Sequence, residues 1–283
     1  MISQEDQRVL SLKGYETVRM LGEGAFSEVA LVRKQIRTRS QQTEERQTGA
    51  QTGSYIACKI SCRTDLALKE ADILSKIDHP LFPKFFDVWK EDGKVYLLIE
   101  YICGCSLKEL LARRGSFSDA QAVRIGLELA EGLKYLHELQ RPILFRDLKP
   151  ANILIRQDGR VKLLDLGCVC GTGTQTNIAG TPEYAAPEQL KSGSFLTPAC
   201  DVYGIGKVLQ AMTGENCTKR LQRIITASIR EQPGERIADM RGVISALAAL
   251  DAKDRKLRLS GSFISSQAVC INNIWESAHK GYL

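Results

Sequence analysis

Three polar side chains set among apolar neighbours constrain this chain more than any other feature. The run Leu144-Phe145-Arg146-Asp147-Leu148-Lys149-Pro150-Ala151-Asn152 is followed by Leu163-Leu164-Asp165-Leu166-Gly167. Desolvating Asp147, Asn152 and Asp165 without compensation is costly, so such groups need partners. Asp and Asn oxygens are hard ligands suited to Mg²⁺, which takes few protein groups and leaves the rest of its shell to phosphates. A chance collection of turn residues is the plain alternative.

Two further segments point the same way. Leu21-Gly22-Glu23-Gly24-Ala25-Phe26-Ser27-Glu28-Val29 carries glycines that let a backbone approach a phosphate without Cβ clashes, although a plain hairpin turn reads the same. Ile56-Ala57-Cys58-Lys59 reads as a strand, and a lone lysine there can simply face water. Glu70, Leu74 and Ile77 lie at i, i+4 and i+7 and share a helix face. A carboxylate on an apolar stripe needs a cation, and Lys59 is the nearest reasonable one.

The periodicities divide the chain. Tyr15 to Leu21, Val29 to Arg33 and Tyr55 to Ile60 read as strands, Asp65 to Ile77 as a helix, and Phe85 to Trp89 with Val95 to Tyr101 as a hairpin. Positions 35–54 are polar and read as an inserted surface loop. After Gly104 the pattern turns helical. Ser118 and Gln121 form a capping box, and Ala122, Ile125, Leu129, Leu133 and Leu136 follow at helical spacing. Thr197-Pro198 reads as N-cap plus N1 proline, and Gly214 as the residue that ends that helix. Thr218 to Arg230 and Asp239 to Ala252 are two more amphipathic helices.

Composition excludes little. With 283 residues, 43% of them apolar and 25% charged, a large core is affordable. A net charge of +6 without aromatic interleaving in the basic runs gives no sign of a nucleic-acid partner. Nine cysteines, an odd count, and the polar start MISQEDQRVL suggest reduced thiols in the cytoplasm and no signal peptide. No apolar run approaches the roughly 20 residues a bilayer span needs, so no membrane association is expected.

Taken together these segments resemble the eukaryotic-type (Hanks-type) serine/threonine protein kinases over roughly residues 12–252. Phe145-Arg146-Asp147 is similar to the family's H-R-D, Asp165-Leu166-Gly167 to D-F-G, and Ala186-Pro187-Glu188 matches A-P-E. The resemblance implies an α+β, bilobal fold, with a β-rich N-lobe over about 12–103 and an α-helical C-lobe over about 104–252. Residues 253–283 lie beyond it as a tail. It implies a non-specific serine/threonine protein kinase using ATP and Mg²⁺, or Mn²⁺, acting on Ser/Thr hydroxyls of protein substrates and able to autophosphorylate.

The roles it implies fall on named positions. Leu21, Gly22 and Gly24 cover the phosphates, and Val29, Ala57 and Leu154 enclose the adenine. Glu100 and Ile102 offer it backbone hydrogen bonds, with Ile99 as gatekeeper. Lys59, paired with Glu70, holds the α/β-phosphates. Asp147 receives the acceptor hydroxyl, Lys149 steadies the γ-phosphate, and Asn152 and Asp165 hold the metal. Thr181 belongs to the substrate segment, and Thr172, Thr174 and Thr176 are candidate phosphosites. Asp201 anchors the loop around Asp147, and Arg236 pairs with Glu188.

This chain departs from the family at Phe145, Leu166 and Ser27, where His, Phe and Gly are usual. The short interval from Asp201 to Arg236 also implies a trimmed helical lobe. Tyr184-Ala-Ala-Pro-Glu-Gln189 resembles the bacterial branch. Two rival readings are a pseudokinase scaffold and a small-molecule kinase. The first would have lost Lys59, Asp147 or Asp165, and the second usually lacks Ala-Pro-Glu and Gly180-Thr181-Pro182.

Overall fold

The computed structural model describes residues 2–24, 26–35, 55–173, 178–215 and 217–260, with side chains described through Asp251. The expected 35–54 loop, apart from Gln35, lies outside these residues, as do Thr174, Thr176 and the tail after 260. The chain forms two compact units, one of residues 1–78 and 83–102, the other of 79–82 and 103–283.

The first unit is an antiparallel five-stranded sheet. Strands β1 (Tyr15–Glu23), β2 (Ser27–Lys34), β3 (Tyr55–Ser61), β4 (Phe85–Glu91) and β5 (Lys94–Glu100) take the order β1-β2-β3-β5-β4. Asp92 and Gly93, both at positive φ, make the two-residue turn between β4 and β5. This is the primed geometry whose twist matches the flanking strands. Alternation along a strand sends successive side chains to opposite faces. Ile56, Cys58 and Ile60 of β3 and Tyr96 and Leu98 of β5 therefore join one core, which helix α1 (Gln4–Leu12) seals with Val9 and Leu10.

Helix α1 was not anticipated from the sequence. Its polar residues hide the signal, while the Ser3 hydroxyl accepts the Asp6 N–H and caps it. Helix α2 (Thr64–Leu74) carries Glu70 and ends before the expected Ile77. Its last residues turn into tighter bonds, Lys76 N–H to Ile73 C=O and Ile77 N–H to Leu74 C=O.

The second unit is mainly helical. Helix α3 (Leu107–Arg114), also unanticipated, starts at Ser106, whose hydroxyl accepts the Glu109 N–H while Glu109 accepts the Ser106 N–H. Helix α4 (Asp119–His137) buries the full predicted stripe, and the Gln121 side chain accepts the Ser118 N–H at 3.2 Å. Helix α5 (Ala199–Thr213) starts one residue later than expected. Pro198 takes the cap position, at φ −49°, and not N1. Thr218 caps helix α6 (Lys219–Ser228), and helix α7 (Met240–Ser260) continues past the expected end at Ala252.

Short strands complete this unit. β6 (Gly104–Ser106), β8 (Ile153–Arg156) and β9 (Val161–Leu163) form one sheet, and β7 (Ile143–Leu144) pairs with β10 (Cys170–Gly171). The 145–152 loop runs from β7 to β8, and Asp165 follows β9, so adjacent strand ends present all three polar groups.

Candidate active site

In the first unit, Lys59 on β3 reaches Glu70 on α2 with Nζ–Oε distances of 2.8 and 3.1 Å. Glu70 is 3% exposed. The Lys59 side chain keeps 15% of its surface, and its ammonium is held by the carboxylate. Gly22 and Gly24 lie on or next to the β1–β2 turn, which the Gly24 N–H closes onto the Ser27 carbonyl at 2.8 Å. A Cβ at Gly22 would meet nothing within 4 Å, so the fold itself does not demand glycine there. The missing side chain leaves room for the close approach of a ligand. Ala57 and Ile102 are buried, and Leu21, Val29, Ile99 and Glu100 are half-buried.

In the second unit, Asp147 is 6% exposed and fully partnered. Lys149 Nζ lies 2.7 Å from its Oδ2. The Thr181 N–H and hydroxyl donate to its Oδ1 at 3.0 and 2.9 Å. Lys149 also donates to the Thr181 hydroxyl at 2.8 Å. A protein hydroxyl thus already sits between the carboxylate and the ammonium.

Asn152 gives its Nδ2 to the Asp147 carbonyl at 2.9 Å and to Oδ2 at 3.0 Å. That fixes the amide so that Oδ1 is the atom left for another partner. The Leu164 N–H donates to the Asn152 carbonyl at 2.8 Å, tying this loop to the residue before Asp165. Asp165 is exposed and adopts φ +64°, with Oδ1 accepting the Gly167 N–H. An exposed carboxylate and an oriented amide oxygen suit Mg²⁺ sharing its shell with phosphates. Leu154, on β8, is half-buried.

The neighbouring Cys168 thiol is pushed above its ordinary pKa, first by burial and then by the charges of Asp147 and Asp165.

Asp201, 1% exposed at the start of α5, holds the loop from below. Its carboxylate accepts the Phe145 N–H at 2.9 Å and the Arg146 N–H at 2.8 Å. His137 Nε2 stands 2.8 Å from the same carboxylate. Sequence reasoning missed this histidine. The available signal was that Phe145 brings no imidazole to the loop while His137 ends an apolar helix stripe. Phe145 and Leu166, the two apolar departures, are 0% and 1% exposed and fill core space. Arg236 forks onto Glu188 at 2.6 and 2.8 Å and lies over the Tyr203 ring. Thr172 is exposed, its N–H bonded to the Pro142 carbonyl.

Comparison with known proteins identifies the family. A family model described as protein kinase domain matches residues 15–258. The chain is 32% identical over 214 residues to the cAMP-dependent protein kinase catalytic subunit 3 of Drosophila melanogaster, covering 72% of this chain and 34% of that protein. It is 32% identical to the cAMP-dependent protein kinase catalytic subunit PRKX of Homo sapiens, covering 65% of this chain and 49% of that one. To CBL-interacting serine/threonine-protein kinase 8 of Arabidopsis thaliana it is 29% identical, over 70% and 43%. It therefore spans a third to a half of the length of these relatives. With a sheet-rich first unit, a helical second unit and a family match over most of its length, the chain belongs to the protein kinase domain family and has its mixed α+β fold.

Proposed function

We propose that this chain transfers the γ-phosphate of ATP to serine and threonine hydroxyls of protein substrates, including its own. The observation that carries this reading is the Thr181 hydroxyl lodged between Asp147 and Lys149, at 2.9 and 2.8 Å. It marks a place where an aliphatic hydroxyl is received by a carboxylate and faced by a cation. Phosphoryl transfer needs little covalent help, so positioning and charge stabilisation supply most of the rate.

In this reading Asp147 orients the acceptor O–H and takes its proton late. Lys149 steadies the transferring oxygens. Lys59, held by Glu70, binds the α/β-phosphates. Asn152 and Asp165 hold Mg²⁺, which when bound offsets charge on the phosphate oxygens. Leu21, Gly22, Gly24, Val29, Ala57, Ile99, Glu100, Ile102 and Leu154 form the nucleotide's surroundings. Exposed Thr172 stands as a site whose phosphate would regulate the segment it begins.

The Tyr184 to Gln189 run supports assignment to the bacterial branch. The eight described cysteines are free thiols, which suits a reducing cytoplasm. Among the described residues no helix is long and apolar enough to cross a membrane.

The test is incubation with ATP, Mg²⁺ and a generic protein substrate, followed by phosphosite mapping on substrate and chain. Phosphoserine and phosphothreonine should appear, and Asp147→Ala should abolish them. Equal phosphate with Asp147→Ala, phosphotyrosine alone, or phosphate on a metabolite and on no protein would each refute the assignment.

A further inference from the structure

One buried side chain ties the segment bearing Thr181 to the loop bearing Asp147, and the family motifs give it no role. Gln189 follows Glu188 in the short 3₁₀ turn Pro187–Leu190 and is 2% exposed. Its Oε1 accepts the Ala186 N–H at 3.1 Å. That bond sets the orientation of the amide, because only the oxygen can face a donor. The NH₂ is thereby aimed at two carbonyls, Arg146 at 2.8 Å and Ala179 at 3.5 Å. Arg146 immediately precedes Asp147, and Ala179 lies two residues before Thr181.

The backbones leave no slack at this junction. Arg146 sits at φ +69° and Gly180 at φ +104°. A Cβ on Gly180 would stand 2.9 Å from the Arg146 carbonyl oxygen and 3.2 Å from Gln189 Nε2. Just beyond it, the Thr181 N–H and hydroxyl land on Asp147. Without the amide, the Arg146 carbonyl loses this donor and Ala179 loses its tie through Gln189, leaving the Thr181 bonds to Asp147 to hold the segment against the loop.

We propose that Gln189 is a positioning residue. It clips the Ala179–Thr181 backbone to the loop at Arg146 and so sets the Thr181 hydroxyl, and with it the acceptor site, against Asp147 and Lys149. This rests on the protein kinase reading above. It acts on acceptor geometry and not on nucleotide binding.

The test uses the full chain with Gln189→Met, which keeps the volume and removes the donors, and Gln189→Glu, which keeps the shape and the acceptor. Both should lower kcat/KM for a peptide substrate by about 10- to 100-fold while the KM for ATP moves less than about twofold. In a Thr181→Ala background, Gln189→Met should add less than about twofold, because both changes break one unit. Penalties that multiply in full, or a Gln189→Glu variant as active as wild type, would overturn the proposal.

Amide hydrogen exchange gives a readout independent of activity. In Gln189→Met the Thr181 amide should exchange at least about tenfold faster, while the Phe145 and Arg146 amides held by Asp201 keep their protection. Equal loss at all three would mean general loosening, and no loss at Thr181 would mean no clip. If Gln189→Met does not fold, Gly180→Ala strains the same junction from the other side and should give the same exchange pattern. A wild-type protein that phosphorylates nothing would refute the kinase reading and leave the exchange result standing. Unchanged Thr181 exchange would refute the clip and leave the kinase reading standing.

Discussion

The two faces of the five-stranded sheet each carry a buried lysine–carboxylate pair, and the pairs are built for different ends. On the α2 face, Lys59 meets Glu70, and the Lys59 side chain keeps 15% of its surface. On the α1 face, Asp6 is 2% exposed and saturated. It takes two bonds from Lys94 at 2.8 and 2.9 Å, one from the Tyr96 hydroxyl at 2.6 Å and one from Ser3. Burial alone would raise the Asp6 pKa, but the bonds from Lys94, Ser3 and Tyr96 outweigh it and hold it below the ordinary value. Burial and the same carboxylate push the Tyr96 phenol up. A pair with every lone pair taken fastens a helix to a sheet. A pair whose lysine keeps part of its surface has a cation oriented by its carboxylate.

Substitutions can break this contrast. The largest effect is expected at Lys59→Met. Phosphate transfer, measured at a temperature where the variant is still folded, should fall roughly 10²- to 10³-fold, the scale of losing one charge-stabilising donor, and the buried Glu70 left without its lysine should also lower the melting temperature. Melting curves alongside initial rates decide it, and a variant that melts early but transfers normally would reverse the assignment of the two faces. Next comes Asp6→Asn, which strands Lys94 and Tyr96. It should cost about 1.5–3 kcal/mol in urea unfolding, the scale of hydrogen bonds to a charged group, with the specific activity of the folded protein kept.

The smallest effect sharpens the contrast through pH. Because the folded Asp6 pKa is lowered from 3.8, its contribution is present above that value and is lost as pH falls through the folded one. The stability gap between wild type and Asp6→Asn should therefore stay constant from about pH 7 to 5 and close in stronger acid. A gap that persists below the folded pKa would show that the ionised carboxylate is not what fastens α1.

The same contrast explains what the sequence disclosed. Lys59 and Glu70 were legible because one sits on a strand with β pattern and the other interrupts an apolar helix stripe, so burial without a partner was the signal. Asp147 and Asn152 stood out as polar groups among apolar neighbours and are buried, whereas Asp165, read the same way, is exposed. Asp6 was not, since Gln4-Glu5-Asp6-Gln7-Arg8 reads as a solvated run until the sheet covers it. Helix α3 was hidden by its brevity and its mostly charged surface, although Ser106 and Glu109 have capping-box spacing. Pro198 was misplaced by one residue because an αR proline fits the cap as well as the first turn. Gln189 falls in the Tyr184 to Gln189 run but gives no sequence sign of burial. A glutamine after a proline turn looks like surface, and its role comes from long-range carbonyls.

The four residues His79–Phe82 belong to the helical unit although they fall between α2 and β4. Leu81 lies so close to α4 that a Cβ on Gly132 would come within 2.1 Å of it, and its carbonyl accepts the Leu163 N–H at 2.8 Å. Lys162, 8% exposed, donates to the Phe82 carbonyl at 3.1 Å. Cutting the gene at the obvious change in composition would consequently not yield a self-sufficient C-terminal fragment. A polypeptide begun at Cys103 would have a groove along Gly132 where Leu81 belongs, and would lose the bonds that Leu163 and Lys162 make to the Leu81 and Phe82 carbonyls. It would be sticky, and supplying a short peptide spanning 79–82 in trans is the natural remedy.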